Sequence, residues 1–234
     1  MMKTRYIFSL FLLGFIIAVP VQANMVVNKI IINFYSGKTA REDVEVFNSG
    51  KEALYISAKL FEIIQPESKA PERRELTDPR DAGIIISPNR FIVAPGQRKV
   101  VRLITTQSAI DKDKVYRILM QPHAGKFTTD STQKAAGIKI ILGYELLAFI
   151  RPANLDASLQ VQRKGKSLAL HNTGNTNINV REIKLCQDTE QQHCEILGGK
   201  RLYSGQQWQL NLPQAEGQIF IRKSVGNAFS VDEY

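Results

Sequence analysis

Apolar and polar positions alternate with a period of two along most of this chain, which is the pattern of half-buried β-strands. The longest apolar stretch is residues 137–152, GIKIILGYELLAFIRP, read as one strand that stops at Arg151 and Pro152. Ile138, Ile140 and Leu142 alternate on one face of it. Fully extended, the run would reach on the order of 40 Å, far beyond the ~5–6 residues of an average strand. An uncharged strand of that length on an open edge invites unwanted pairing, so it is either buried centrally or meant to meet a partner.

The remaining pattern divides into shorter strands. Residues 25–34 read as one apolar strand, and Val44 and Val46 alternate before an Asn48-Ser49-Gly50 turn. Leu54, Ile56, Ala58 and Leu60 alternate after that turn, which suggests a hairpin. Residues 65–83 carry three prolines and many charges and read as a loop. Short strands are expected at 84–87, 91–93, 99–104 and 115–120, followed by a polar loop through Lys134. Further strands fall at 159–161, 168–170, 178–185, 208–212 and 218–221, with a turn cluster at 172–177. No amphipathic helix is evident. The expected fold is all-β, two immunoglobulin-like sandwiches around a cleft, spanning residues 24–152 and 153–234.

The N-terminus changes the picture. Lys3 and Arg5 precede a short apolar stretch, then Pro20 and Val21-Gln22-Ala23, which describes a secretory signal peptide over residues 1–23. The apolar part is short for a membrane span of roughly 20 residues, and no later segment reads as one. The product is therefore expected outside the cytoplasm. There, Cys186 and Cys194, flanking a polar turn, are expected to form one disulfide. Of the 234 residues, 31 are Lys or Arg and 22 are Asp or Glu. In an exported protein this basic excess points away from nucleic acid and toward acidic peptide, a partner's carboxylate or an anionic surface.

Catalytic patterns are missing. The chain has no Gly-x-Ser-x-Gly elbow, no His-Glu-x-x-His and no phosphate-binding glycine loop, and its three histidines are scattered. No enzyme activity, metal, cofactor or small-molecule substrate is expected.

Four segments together resemble the PapD-like periplasmic chaperones of chaperone–usher pilus assembly. These are Ile86-Ser87-Pro88 through Pro95-Gly96-Gln97 to Val101-Arg102-Leu103; Asp113-Lys114-Val115-Tyr116-Arg117-Ile118; residues 138–152; and Asn172-Thr173-Gly174-Asn175-Thr176-Asn177 with the cysteine pair and Lys200-Arg201-Leu202-Tyr203. The last group is similar to the archaic or alternate branch. The resemblance implies donor-strand complementation: pilus subunits lack a final strand, and the chaperone's G1 strand fills the exposed groove. Ile138, Ile140 and Leu142 would enter that groove, with fimbrial subunits and an outer-membrane usher as partners. Whether the free protein caps its own strand by dimerising is left open.

Conventional members anchor the subunit's terminal carboxylate with a first-strand arginine and a G1 lysine. Here those positions fall near Ile31 and at Leu147. A carboxylate in a cleft still needs a charged partner, so Arg117 is the expected substitute and Lys29 a weaker second. Arg151 resembles the family's interdomain arginine, with Asp113 as its expected partner and Asp232 as a less secure one. The competing reading is a structural or adhesive fimbrial sandwich, such as a tip protein or carbohydrate-binding module. It calls for clustered exposed aromatics, whereas the lone Trp208 sits in a strand-like context.

Overall fold

The computed structural model describes residues 24–234 except 39, 79, 108, 124–140 and 188–192. The described residues contain no α-helix. The first ten strands are β1 (Met25–Val27), β2 (Ile31–Tyr35), β3 (Arg41–Asn48), β4 (Leu54–Ile64), β5 (Glu72–Leu76), β6 (Ile84–Ser87), β7 (Arg90–Val93), β8 (Arg98–Thr105), β9 (Lys114–His123) and β10 (Tyr144–Arg151). The other eight are β11 (Leu159–Lys164), β12 (Ser167–Asn172), β13 (Ile178–Cys186), β14 (Cys194–Leu197), β15 (Lys200–Leu202), β16 (Gln207–Asn211), β17 (Gln218–Val225) and β18 (Ala228–Glu233).

These strands make two immunoglobulin-like sandwiches. In the first, the sheet β1-β3-β8-β6 packs on the sheet β2-β10-β9-β4-β5, with β7 added alongside β4. In the second, β11-β12-β16 packs on β14-β13-β17-β18, with β15 paired to β13. The alternation seen in the sequence decides which side chains face inward. On β9, Tyr116, Ile118 and Met120 enter the first core, and on β10 Leu146, Ala148 and Ile150 do the same. Their odd-numbered neighbours therefore form the outer face of that sheet. The second core gathers Leu168, Leu170, Ile183, Leu185 and Ile221, with Trp208 packed against it.

Four expectations change. Residues 25–34 are two strands: β1 joins β3 in one sheet, and β2 runs parallel to β10 in the other. β3 and β4 are not a hairpin, since they belong to opposite sheets and the turn between them is a corner. The charged 65–83 segment contains β5, which continues the sheet beside β4 through an Arg/Glu-rich edge; charge is how a solvent-exposed edge strand resists further pairing. Finally, β10 starts only at Tyr144, so the described part of the long apolar run holds an eight-residue strand, and Ile141–Gly143 lie outside it.

Both corners use one device. Asn48 and Asn172 are fully buried. Asn48 donates from Nδ2 to the carbonyls of Glu52 and Val93 at 2.7 and 2.8 Å, while its Oδ1 accepts from Gly50 N at 2.9 Å. Asn172 donates to the carbonyls of Thr176 and Leu202 at 2.8 and 3.0 Å, and its Oδ1 accepts from Gly174 N at 3.1 Å. Each asparagine's carbonyl then receives a glycine N–H, Gly96 at 2.9 Å and Gly205 at 2.8 Å. Both glycines have positive φ, 69° and 81°, as such a tight turn requires. Replacing either asparagine by alanine strands buried carbonyls, at ~1–3 kcal/mol for each group left unpaired. Asn48→Ala and Asn172→Ala are expected to cost similar amounts, read as lost hydrogen-exchange protection at Gly50 N–H and Gly174 N–H respectively, the two amides that donate to the asparagine side chains. Retained protection at either would show that the asparagine is dispensable there.

Candidate functional site

The outer face of the β2-β10-β9-β4-β5 sheet meets the second sandwich at the C-terminal end of β10. Arg151 is the largest fully buried side chain among the described residues. Its Nη1 lies 3.3 Å from Asp113 Oδ2, and the two side chains are 1% and 5% exposed. It also donates to Asn33 Oδ1 at 3.0 Å and to Thr176 Oγ1. Burial pushes the Arg151 guanidinium below its ordinary value, and the Asp113 carboxylate pulls it back.

Asp113 is saturated from the other sandwich. Thr176 Oγ1 donates to it at 2.9 Å, and Asn177 donates from both its backbone N, at 2.7 Å, and its Nδ2. The backbone adds Asp113 N to Asn175 O at 3.0 Å. The connecting segment after β10 is clamped to the same turn: Asn175 N donates to Asp156 O at 2.9 Å, and a Cβ at Gly174 would stand 2.2 Å from that oxygen. On the far side of Arg151, the β17–β18 turn presents Gly226, at φ 56°, where a Cβ would stand 2.2 Å from Tyr35 Oη. Asp232 does not join this cluster. Its carboxylate pairs with Lys223 Nζ at 2.5 Å across β17 and β18, which is the nearer cation on its own hairpin.

Further along the outer face lies a single cross-strand row. Leu147 is the register partner of Ile31 on one side and of Arg117 on the other, and Arg117 is opposite Phe61. Leu147 and Ile31, at or near the positions where the family resemblance implies cations, are neighbours here and both are apolar. Arg117 stands one strand further across. It is half-buried, and no ion-pair partner accompanies it among the described residues. Its neighbours on the same face are already paired: Lys59 with Glu75 at 3.0 Å and Arg73 with Glu145 at 2.6 Å, the Arg73 guanidinium also lying 3.9 Å over the Phe61 ring. Lys29 is committed to Glu42 at 2.7 Å, so its ammonium is a poor candidate for a ligand carboxylate.

Ile138 and Ile140 lie outside the described residues, as does the 1–23 segment. Leu142 and Ile141 are exposed, at 55% and 39%. Cys186 and Cys194 form a disulfide that closes the β13–β14 connection. Among the described residues no group of His, Cys, Asp and Glu is placed to hold a metal ion.

Known proteins share this layout. The model of the pili and flagellar-assembly chaperone PapD N-terminal domain matches residues 24–156. The chain belongs to the PapD-like assembly chaperones. This PapD-like chaperone is 26% identical over 194 residues to the CFA/I fimbrial A subunit of Escherichia coli, covering 81% of this chain and 78% of that protein. Its fold resembles the class 5 fimbriae chaperone CfaA, with TM-score 0.66, 20% identity and coverage of 90% of this chain and 98% of that one. It also resembles the Salmonella enterica SafA pilin–SafB chaperone complex, with TM-score 0.62, 12% identity and coverage of 92% and 98%. The PapD-like chaperone is periplasmic and non-enzymatic, and it acts in fimbrial assembly.

Sequence reasoning missed the second half of the junction. Thr176 and Asn177 sit in a turn cluster, and Arg201 in a strand segment, for which the family resemblance implies no role at the junction. The signal available was the unusual density of amide side chains at 172–177, a set well suited to hold a carboxylate.

Asp113→Ala should cost ~3–5 kcal/mol, because it leaves a buried guanidinium unpaired. The Asp113→Leu, Arg151→Met double replacement should recover part of that stability yet broaden the distribution of distances between spin labels on the two sandwiches. Urea denaturation and pulsed dipolar spectroscopy measure the two effects. A double replacement with the parent's narrow distribution would show that the ion pair does not fix the angle.

Proposed function

We propose that this chaperone captures fimbrial subunits by donor-strand complementation, lending the segment that leads into β10 and anchoring the subunit's terminal carboxylate at Arg117. Ile138, Ile140 and Leu142 supply the alternating apolar side chains, and main-chain hydrogen bonds supply affinity. The loaded complex then passes to an outer-membrane usher. Residues 1–23 act as a cleaved export signal, and the chaperone belongs to the archaic or alternate branch.

One observation carries this reading. The row Ile31–Leu147–Arg117 places a guanidinium with no ion-pair partner among the described residues beside apolar side chains, in the middle of the strand that the exposed Leu142 leads into. A peptide strand added along that segment would find apolar contact for its side chains and a charged donor for its terminus. Arginine suits the task because its planar fork binds a carboxylate through two parallel hydrogen bonds. Solved relatives include chaperones in complex with a pilin and with a tip adhesin, which supports a fimbrial subunit in that role. The adhesive alternative gains nothing here, since Trp208 packs against the second core instead of standing free.

Co-expression with a fimbrial subunit should yield a soluble one-to-one complex that co-purifies. Arg117→Ala should weaken capture at least ~30-fold, the equivalent of about 2 kcal/mol for losing one partner of an interfacial charge pair. The thermal midpoint should hardly move, because Arg117 has no ion-pair partner among the described residues. Undiminished capture by Arg117→Ala would remove it as the anchor. Replacing Leu142 with Ser should lower affinity through lost apolar contact alone, by ~1.5–3 kcal/mol.

A further inference from the structure

We infer that Arg201 is a second carboxylate-binding residue, so that an anionic group in the cleft is held between Arg117 on the first sandwich and Arg201 on the second. This rests on the reading that Arg117 anchors a carboxylate and adds a contact from the opposite sandwich.

Arg201 begins from an unusual position. It lies on β15 and is half-buried, with its guanidinium 5.1 Å from the centroid of the Phe149 ring. The Arg151 guanidinium lies 4.9 Å from the same ring, so two cations share one fully buried aromatic. Such contacts are attractive but weak beside a full ionic partner. Arg201 donates to Asn177 Oδ1, which leaves most of a guanidinium's five N–H donors without a hydrogen-bond partner among the described residues. Among the described residues no carboxylate lies within ion-pair distance of it.

The local charge balance explains why no internal group can serve. Asp113 is the carboxylate of the junction, and its oxygens already accept from Arg151, Thr176 and Asn177. Arg151 and Arg201 thus stand against one saturated anion. Burial pushes the Arg201 guanidinium below its ordinary value, and Arg151 and Arg181 push it further while Tyr203 and Asp113 oppose. A half-buried cation with spare donors is completed by an external anion.

Position supplies the rest. Phe149 lies two residues beyond Leu147 on the same face of β10, about 7 Å along the strand at the usual rise. Arg201, over Phe149, therefore stands one step from the Ile31–Leu147–Arg117 row. The chemistry fits a carboxylate, whether the occupant's chain terminus or an acidic side chain next to it. Held by both arginines, it would tie the occupant to both sandwiches at once.

The test uses the intact chain and acetate, followed through the arginine Nε–H resonances. Acetate should shift the Arg117 and Arg201 signals together, and Arg201→Gln should weaken acetate binding tenfold or more. Arg201→Lys should restore part of the affinity, and the Arg151 signal should persist in both variants, which separates charge from folding. An unmoved Arg201 signal, or acetate affinity in Arg201→Gln within twofold of the parent, overturns the inference. Two apolar peptides distinguish the sources: one with a free terminal carboxylate and no acidic residue, the other amidated with a penultimate Glu. Binding of either that depends on Arg201 supports the site and assigns the source, and binding of both independently of Arg201 refutes it. If Arg201→Gln captures the pilin normally while Arg117→Ala does not, this inference fails and the proposed function stands. Absence of capture by the unmodified chain fails the proposed function instead.

Discussion

A buried arginine that cannot be left alone organises this molecule. Arg151 ends β10, the strand that carries the candidate site, and takes its charge into a nearly water-free junction. Such a group is tolerable only with a paired anion and satisfied donors. Asp113 supplies the anion from the start of β9, and the turn before β13 supplies the hydroxyl and amides that complete it. Because the carboxylate comes from one sandwich and its remaining donors from the other, the domains have few relative orientations that satisfy every group.

That geometry places the outer face of the β2-β10-β9-β4-β5 sheet opposite the second sandwich. The same strand thus supplies the junction arginine at its end and presents apolar and charged positions along its length. On that face, lysine, arginine and glutamate are mostly paired with one another, so an arginine with no ion-pair partner among the described residues stands out by contrast. Arg117 stands in the same cross-strand row as Ile31 and Leu147, with the charge carried by β9. A carboxylate arriving at that row would find similar chemistry from a different direction.

Much of this was legible in the sequence. Period-two alternation, turn residues and missing helical periodicity gave the all-β class, and even-numbered residues of β9 and β10 face the core as alternation requires. The errors share a cause. Alternation identifies strands but not their partners, so residues 25–34 looked like one strand although Asn28 and Lys29 mark a crossing between sheets. The Asn48 turn looked like a hairpin although it is a corner. The charged β5 looked like a loop because edge strands are polar on both faces. Arg151 and Asp113 came from the family resemblance, whereas Asp232 failed because a closer lysine claims it. Thr176, Asn177 and Arg201 act only through three-dimensional proximity, and no local period marks them.

The duplicated asparagine corner has a further meaning. Asn48 and Asn172 solve the same hydrogen-bonding problem, yet only the second is followed by residues recruited to the junction, Thr176 and Asn177. One copy is free to be merely architectural, and the other is bound to two tasks. The residues after Asn48 tie the turn to Asn24, whose carbonyl accepts from Ser49 N, whereas those after Asn172 satisfy a turn and a neighbour's carboxylate together. The two halves of this chain share a building element and differ in how much freedom it leaves them to diverge.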